Sequence, residues 1–192
     1  MNIIRLDKTE STNTYLKNLA SEGCPSGTAV IAKIQTAGRG RYGKSFSSPE
    51  GGLYLSYLHN VEEIPEDLPV ITEWTAVSVR RAIESVCGVE ADIKYINDLL
   101  YRGKKLCGIL TELRERSIIV GIGINVNSRT EDFGEDLRDT VTSIYEITGK
   151  KTDMELLERA VIGELALQFE DWPDKAWRMD YYLENAINQP KT

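Results

Sequence analysis

The residues best suited to chemistry lie in one stretch, Gln35-Thr36-Ala37-Gly38-Arg39-Gly40-Arg41-Tyr42-Gly43-Lys44-Ser45-Phe46. Three glycines and three cations share seven positions, 38 to 44. A backbone without Cβ atoms can wrap closely round a ligand, and Arg39, Arg41 and Lys44 make that ligand an anion. Residues 38–45 also satisfy the phosphate-loop expression G-x-x-x-x-G-K-[ST]. A true phosphate loop, however, needs a helix that starts at its Lys-Ser pair, and Pro49 with Gly51-Gly52 opposes one here. The flanks Ala29–Ala32 and Leu53–Leu58 read as strands, so the stretch is a strand-to-strand loop.

The remaining inventory narrows the chemistry. The single histidine, His59, leaves no material for a Ser-His-Asp triad, a Cys-His pair or a histidine-rich zinc site, so no protein-held metal is expected. Cys24, Cys87 and Cys107 are far apart and read as reduced structural residues. Any reaction must run on lysine, arginine, carboxylates and backbone amides. The 192 residues carry a formal charge of −7, which argues against nonspecific binding to nucleic acid or anionic membrane and makes the basic loop a local feature. With no signal-peptide core and no membrane-length apolar run, the sequence reads as cytoplasmic.

The elements that must position the loop follow from periodicity. Residues 3–6 form a short strand, and Ser11 caps a helix over 12–20. The polar run Glu10-Ser11-Thr12-Asn13 reads either as a plain helix start or as hydroxyl and amide groups that hydrogen-bond a neutral polar head such as a ureido group. A long core helix spans 68–87; strands follow at 91–94, 99–101, 105–113 and 117–124. Gly121 and Gly123 alternate inside the last of these, which suggests that something lies flat against it. Residues 127–140 read as a mobile loop, 143–148 as a short helix, Thr152-Asp153-Met154-Glu155 as a capping box, and 174–183 as a last helix.

In order and spacing, Glu10–Asn13, Gln35–Arg41, Ser48-Pro49, Leu53–Ser56, Lys94–Leu99, Lys105–Glu112 and Gly121–Asn127 resemble the biotin protein ligases, also called biotin–[acetyl-CoA-carboxylase] ligases. The resemblance covers nearly the whole chain. It implies a single α/β domain of the α+β type, a central mixed sheet flanked by helices as in class II aminoacyl-tRNA synthetase-like ligases, that joins biotin to ATP as biotinyl-5'-AMP and passes biotin to a lysine of a biotin carboxyl carrier protein. It further implies that Ser11, Thr12, Asn13 and Gln35 hold the ureido ring, and that Gly38, Arg39, Gly40 and Arg41 close over the biotin carboxylate and the phosphates. Lys105 would sit at the reacting carboxylate and α-phosphate, Asn97, Asn125 and Phe46 would face the nucleotide, and Gly108 and Gly123 would leave room for the ligand. Spacing alone reads Lys105 as a strand-edge lysine and Asp98 as a turn aspartate; because the transfer step needs a neutral lysine amine, Asp98 is the candidate proton acceptor or positioner for it.

The chemistry is self-consistent. A carboxylate with a pKa of roughly 4 to 5 is already an ionised nucleophile at neutral pH, so no histidine base is required. Two anions must be brought together and charge stabilised at the phosphates, a task for Arg39, Arg41, Lys105 and a magnesium ion. Departures from the family pattern are Tyr95-Ile96 in place of Trp-Pro, Phe46 in place of tryptophan, and Tyr42 and Lys44 where arginine is common. The match begins by Glu10, so no N-terminal DNA-binding domain and no operator binding are expected, and the small β-rich, SH3-like C-terminal domain is expected to be absent or truncated. A biotin-binding relative with weak or no transfer, and a lipoate or octanoate ligase, remain open alternatives; a homodimer built on exposed strand edges is compatible with the resemblance.

Overall fold

The computed structural model describes residues 2–65, 68–170 and 176–187. Its elements are β1 (Asn2–Thr9), α1 (Thr12–Ser21), β2 (Thr28–Gln35), β3 (Leu53–Asn60), α2 (Leu68–Cys87), β4 (Asp92–Lys94), β5 (Asp98–Tyr101), β6 (Lys104–Arg114), β7 (Ser117–Ile124), α3 (Ile144–Thr148), α4 (Met154–Glu170), α5 (Ala176–Asn185) and β8 (Ala186–Ile187). The strands form one mixed sheet in the order β1-β2-β3-β7-β6-β5-β4-β8. Neighbours run antiparallel except β1 beside β2 and β4 beside β8.

The alternation of side chains along each strand gives the sheet two different faces. Ile118, Val120, Ile122 and Ile124 of β7, Leu53, Leu55 and Tyr57 of β3, and Cys107 and Ile109 of β6 join one core with α2 and α4. The opposite face carries a smaller core, Leu16 of α1 with Val30, Leu58 and Ile119. Beyond it that face shows Gly121 and Gly123, and paired with the latter Gly108. Bare backbone thus adjoins the foot of α1.

Local chemistry sets the ends of the elements. Ser11 has extended backbone and its Oγ accepts from Thr14 N–H at the start of α1. α2 ends at Gly88, whose φ of +65° needs no Cβ. Ser143 caps α3, and Gly149 closes it in the left-handed region. At α4 the cap is Asp153, not the Thr152 of the expected box: its carboxylate accepts from Glu155 and Leu156 N–H at 3.0 and 3.1 Å. Thr152 is instead tied to Asn127, donating its N–H to Oδ1 and accepting from Nδ2.

Three other differences from the sequence reading are physical. β1 runs over eight residues because parallel pairing with β2 holds it, although none of its side chains is fully buried. The acidic stretch after Asn127 is anchored by Phe133, only 4% exposed, and by buried Ser128, with a 3-10 turn at Thr130–Asp132. The last helix is described from Ala176 and runs on to Asn185, followed by the unforeseen β8; positions 174 and 175 and the tail at 188–192 lie outside the described residues.

Candidate active site

The glycine-rich loop is a short excursion that returns on itself. Gly40 N–H donates to Lys44 O at 2.7 Å, Phe46 N–H to Gly38 O at 2.8 Å, and Arg39 and Ser45 form an antiparallel bridge. No helix starts at Lys44, so the phosphate-loop match is accidental. Tyr42 takes a left-handed φ of +56° at the tip. Gly38 is where the loop closes: a Cβ there would lie 2.7 Å from Ser48 Oγ and closer still to Phe46 O.

Between this loop, the foot of α1 and the glycine face of the sheet lies a cavity of about 320 Å³. Its walls bring together Ser11, Thr12, Asn13 and Gln35 with Arg39, Gly40, Arg41 and Phe46, and these with Asn97, Asp98, Lys105, Gly108 and Gly123. Gly38 and Asn125 of the expected set do not line it.

One part of the wall is neutral and polar. Thr12 N–H and Oγ1 donate to Gln35 Oε1 at 2.8 and 3.1 Å, and Gln35 Nε2 donates to Ser48 Oγ at 2.9 Å. Ser56 Oγ donates to Asn13 Oδ1 at 2.5 Å and lies 2.8 Å from Thr12 Oγ1. Asn13 Nδ2 donates to Glu112 Oε2 at 2.8 Å and to Leu110 O at 3.3 Å. Gly121 makes this possible, since a Cβ there would fall 2.7 Å from Asn13 Cγ. Thr12, Asn13, Ser48 and Ser56 are buried, so their directions are held rather than averaged by water.

The other part is charged. Five cations, Arg39, Arg41, Lys44, Lys94 and Lys105, line the cavity against one carboxylate, Asp98. A β-bulge places Lys105. Leu99 pairs with Cys107 but Leu100 pairs with Lys105, so Leu106 is an extra residue that turns into the core beside Cys107. Without it, alternation would send Lys105 to the apolar side. Lys105 Nζ instead reaches Asp98 Oδ1 at 2.8 Å, above Gly108. Asn97 Nδ2 donates to the same Asp98 oxygen at 3.2 Å, and Arg41 donates to Asn97 Oδ1 at 3.4 Å, tying the loop to the Asn97-Asp98 pair.

Asn125 works from behind. It is 3% exposed, and its Nδ2 donates to Lys105 O and Thr142 O at 3.3 and 2.9 Å while its buried Oδ1 has no partner. Lys105 N–H donates to Thr140 O and Thr142 N–H to Lys105 O, so the lysine's backbone is clamped on that side as well. The Phe46 ring covers the glycine floor. A Cβ at Gly108 or Gly123 would come within 2.8 Å of its ring carbons, and Lys105 Nζ sits 5.4 Å from the ring centroid.

The cysteines carry no chemistry in this cavity. Cys107 is fully buried on the far face, and burial pushes its thiol far up; burial also raises Cys87. Among the described residues no cluster of three His, Cys, Asp or Glu side chains could hold a metal ion. Sequence reasoning missed Ser56, Glu112, Lys94 and Tyr95 as parts of or supports for the site. Ser56 and Glu112 stand in recognised motifs but have nothing locally to mark their partners 43 and 99 positions away.

The sequence model of the Biotin/lipoate A/B protein ligase family matches residues 6–128, well over half the chain. The chain belongs to that family. Bifunctional ligase/repressor BirA of Bacillus subtilis is 40% identical over 174 residues, covering 88% of this chain and 52% of BirA. The biotin protein ligase of Aquifex aeolicus, solved in complex with biotin and ATP, is 37% identical with a TM-score of 0.82, covering 91% of this chain and 72% of that one. The Leishmania major biotin protein ligase solved with biotin has a TM-score of 0.80 at 26% identity, covering all of this chain and 83% of that one. The fold is therefore that of the biotin protein ligases, a mixed sheet with flanking helices, and the chain spans about half the length of the BirA proteins that it matches.

Proposed function

We propose that this chain activates biotin with ATP and transfers it to a lysine of a biotin carboxyl carrier protein. The observation that carries this reading is the division of one cavity into a buried neutral polar head, at Asn13 and Gly121, and a cationic end, at Lys105 and Gly123. Gly121 and Gly123 are two residues apart on one strand, roughly 7 Å. A ligand with a ureido ring at one end and a carboxylate at the other fits that polarity. A dithiolane or plain alkyl end would leave unused the second lone pair of Asn13 Oδ1 and the second hydrogen of Gln35 Nε2, the capacity that the protein's own hydrogen bonds do not take up. That distinction favours biotin over lipoate or octanoate.

In the first step an oxygen of the biotin carboxylate attacks the α-phosphorus of ATP, the bond to the bridging oxygen breaks and pyrophosphate leaves. Arg39 and Arg41 offset the charge as the loop closes, and Lys105 bridges the carboxylate and the α-phosphate. The partnerless Oδ1 of Asn125 suits the amino group of an adenine, Asn97 a second polar edge, and the Phe46 ring a stacking surface once it lifts from the glycine floor. A magnesium ion would enter with the triphosphate and would offset phosphate charge beside Arg39, Arg41 and Lys105, which line the same cavity. In the second step a neutral lysine amine attacks the acyl carbon, AMP leaves, and Asp98 accepts the amine proton. The closed glycine-rich loop keeps water from the mixed anhydride between the steps.

Pyrophosphate release measured with biotin, lipoate and octanoate in parallel, each with ATP, tests the reading. Biotin-dependent release is expected. Release with lipoate or octanoate alone would replace biotin as the substrate, and biotin binding without release would leave a biotin-binding protein.

A further inference from the structure

We propose that Glu112, which stands outside the cavity, is a positioning residue that dictates which edge of the Asn13 carboxamide meets the ligand's head group. The proposal rests on the biotin reading. A carboxylate can only accept hydrogen bonds, so Asn13 must turn its NH2 toward Glu112 Oε2, where it donates at 2.8 Å. Lys17 Nζ, one turn beyond Asn13 on the same face of α1, pairs with the other carboxylate oxygen, which holds the carboxylate in place. The second Asn13 N–H goes to Leu110 O at 3.3 Å, so both donors of the amide are engaged away from the ligand. What remains is Oδ1. It takes the Ser56 hydroxyl at 2.5 Å and keeps a second lone pair above Gly121, which also lines the cavity. The head pocket therefore offers an acceptor at this point, which selects a ring N–H over a ring carbonyl. An uncharged amide at position 112 could either accept or donate, so it would no longer specify the orientation of Asn13.

The test uses the full chain with Glu112→Gln, which preserves shape, beside Glu112→Ala. Calorimetry gives the affinity for biotin, for two analogues in which each ureido N–H in turn is replaced by methylene, and for a non-hydrolysable ATP analogue; a thermal melt reports the fold. Wild type should prefer biotin over at least one analogue. In Glu112→Gln that preference should shrink about 10-fold or more, the worth of one charge-assisted hydrogen bond, while the affinity for the ATP analogue stays level and the melting temperature falls only as far as weakening the Asn13 and Lys17 contacts requires. An unchanged preference with tight biotin binding would overturn the role of Glu112 alone. A parallel loss of biotin affinity, nucleotide affinity and melting temperature would reduce Glu112 to a general support and overturn it too. No biotin binding by wild type would instead remove the biotin reading, and this inference with it.

Discussion

Replacing Gly121 by alanine should damage both the fold and the head pocket, by an amount that follows from the contacts. The new Cβ would lie 2.7 Å from Asn13 Cγ and 2.8 Å from Nδ2. β7 cannot retreat, because Gly121 is paired with Ser56 on one side and Leu110 on the other. Asn13 must move, which breaks its bonds to Ser56 and Glu112. Losing one neutral and one charge-assisted bond costs about 2–4 kcal/mol. Reduced freedom of the unfolded chain returns about 0.4–1 kcal/mol of that. The net loss should lower Tm by about 3–12 °C in a chain of this size. A control is built in: a Cβ at Gly163 of α4 meets nothing within 4 Å, so Gly163→Ala should stabilise by about 0.5–1 kcal/mol. Urea and thermal unfolding of the two variants, with biotin calorimetry, separate the effects. A Gly121→Ala protein with Tm and biotin affinity equal to wild type would refute the reasoning.

Lys105→Ala should reduce biotin-dependent pyrophosphate release by about 100-fold or more, the scale for losing a cation aimed at developing charge; Lys104→Ala should stay near wild type, and equal mild effects would contradict the bulge-based placement of Lys105. Asp98→Asn should slow single-turnover transfer from preformed biotinyl-adenylate by about 100-fold, and unchanged transfer would remove Asp98 as proton acceptor. His59, stacked 4.3 Å from Phe169, has its pKa held below 6.5 by burial. The folded state then resists protonation, so its share of stability is whole above pH 6.5 and is lost as pH falls toward the depressed folded value. Urea titrations across that window should show a slope that His59→Gln lacks.

Much of the site was legible because its signals are local. Ser11 before a 3.6-residue period marks the start of α1, and Pro49 with Gly51-Gly52 rules out a phosphate-loop helix without any tertiary information. Alternating Gly121 and Gly123 suggested that something lies against the strand; the groups that approach it are the Phe46 ring and the Asn13 amide. What stayed hidden depends on pairing across the sheet. Lys105-Leu106-Cys107 reads simply as part of a strand, and only its register against Leu99 and Leu100 exposes the bulge that puts Lys105 in the cavity. Glu112 looks like a solvent-side strand residue until α1 brings Asn13 and Lys17 against it. β8 is two residues long and exists only because β4 offers it an edge. Asp153 displaced Thr152 as the α4 cap because Asn127 occupies both backbone polar groups of Thr152.

The most direct measurement is a crystal structure of this chain with biotin bound. The ureido ring should lie among Thr12, Asn13 and Gln35 over Gly121, with the carboxylate within hydrogen-bonding reach of Lys105 and the Phe46 ring displaced from Gly108 and Gly123. Biotin bound away from Gln35 and Lys105, or lying reversed with its carboxylate against Asn13, would contradict the division of the cavity into a neutral head and a cationic end.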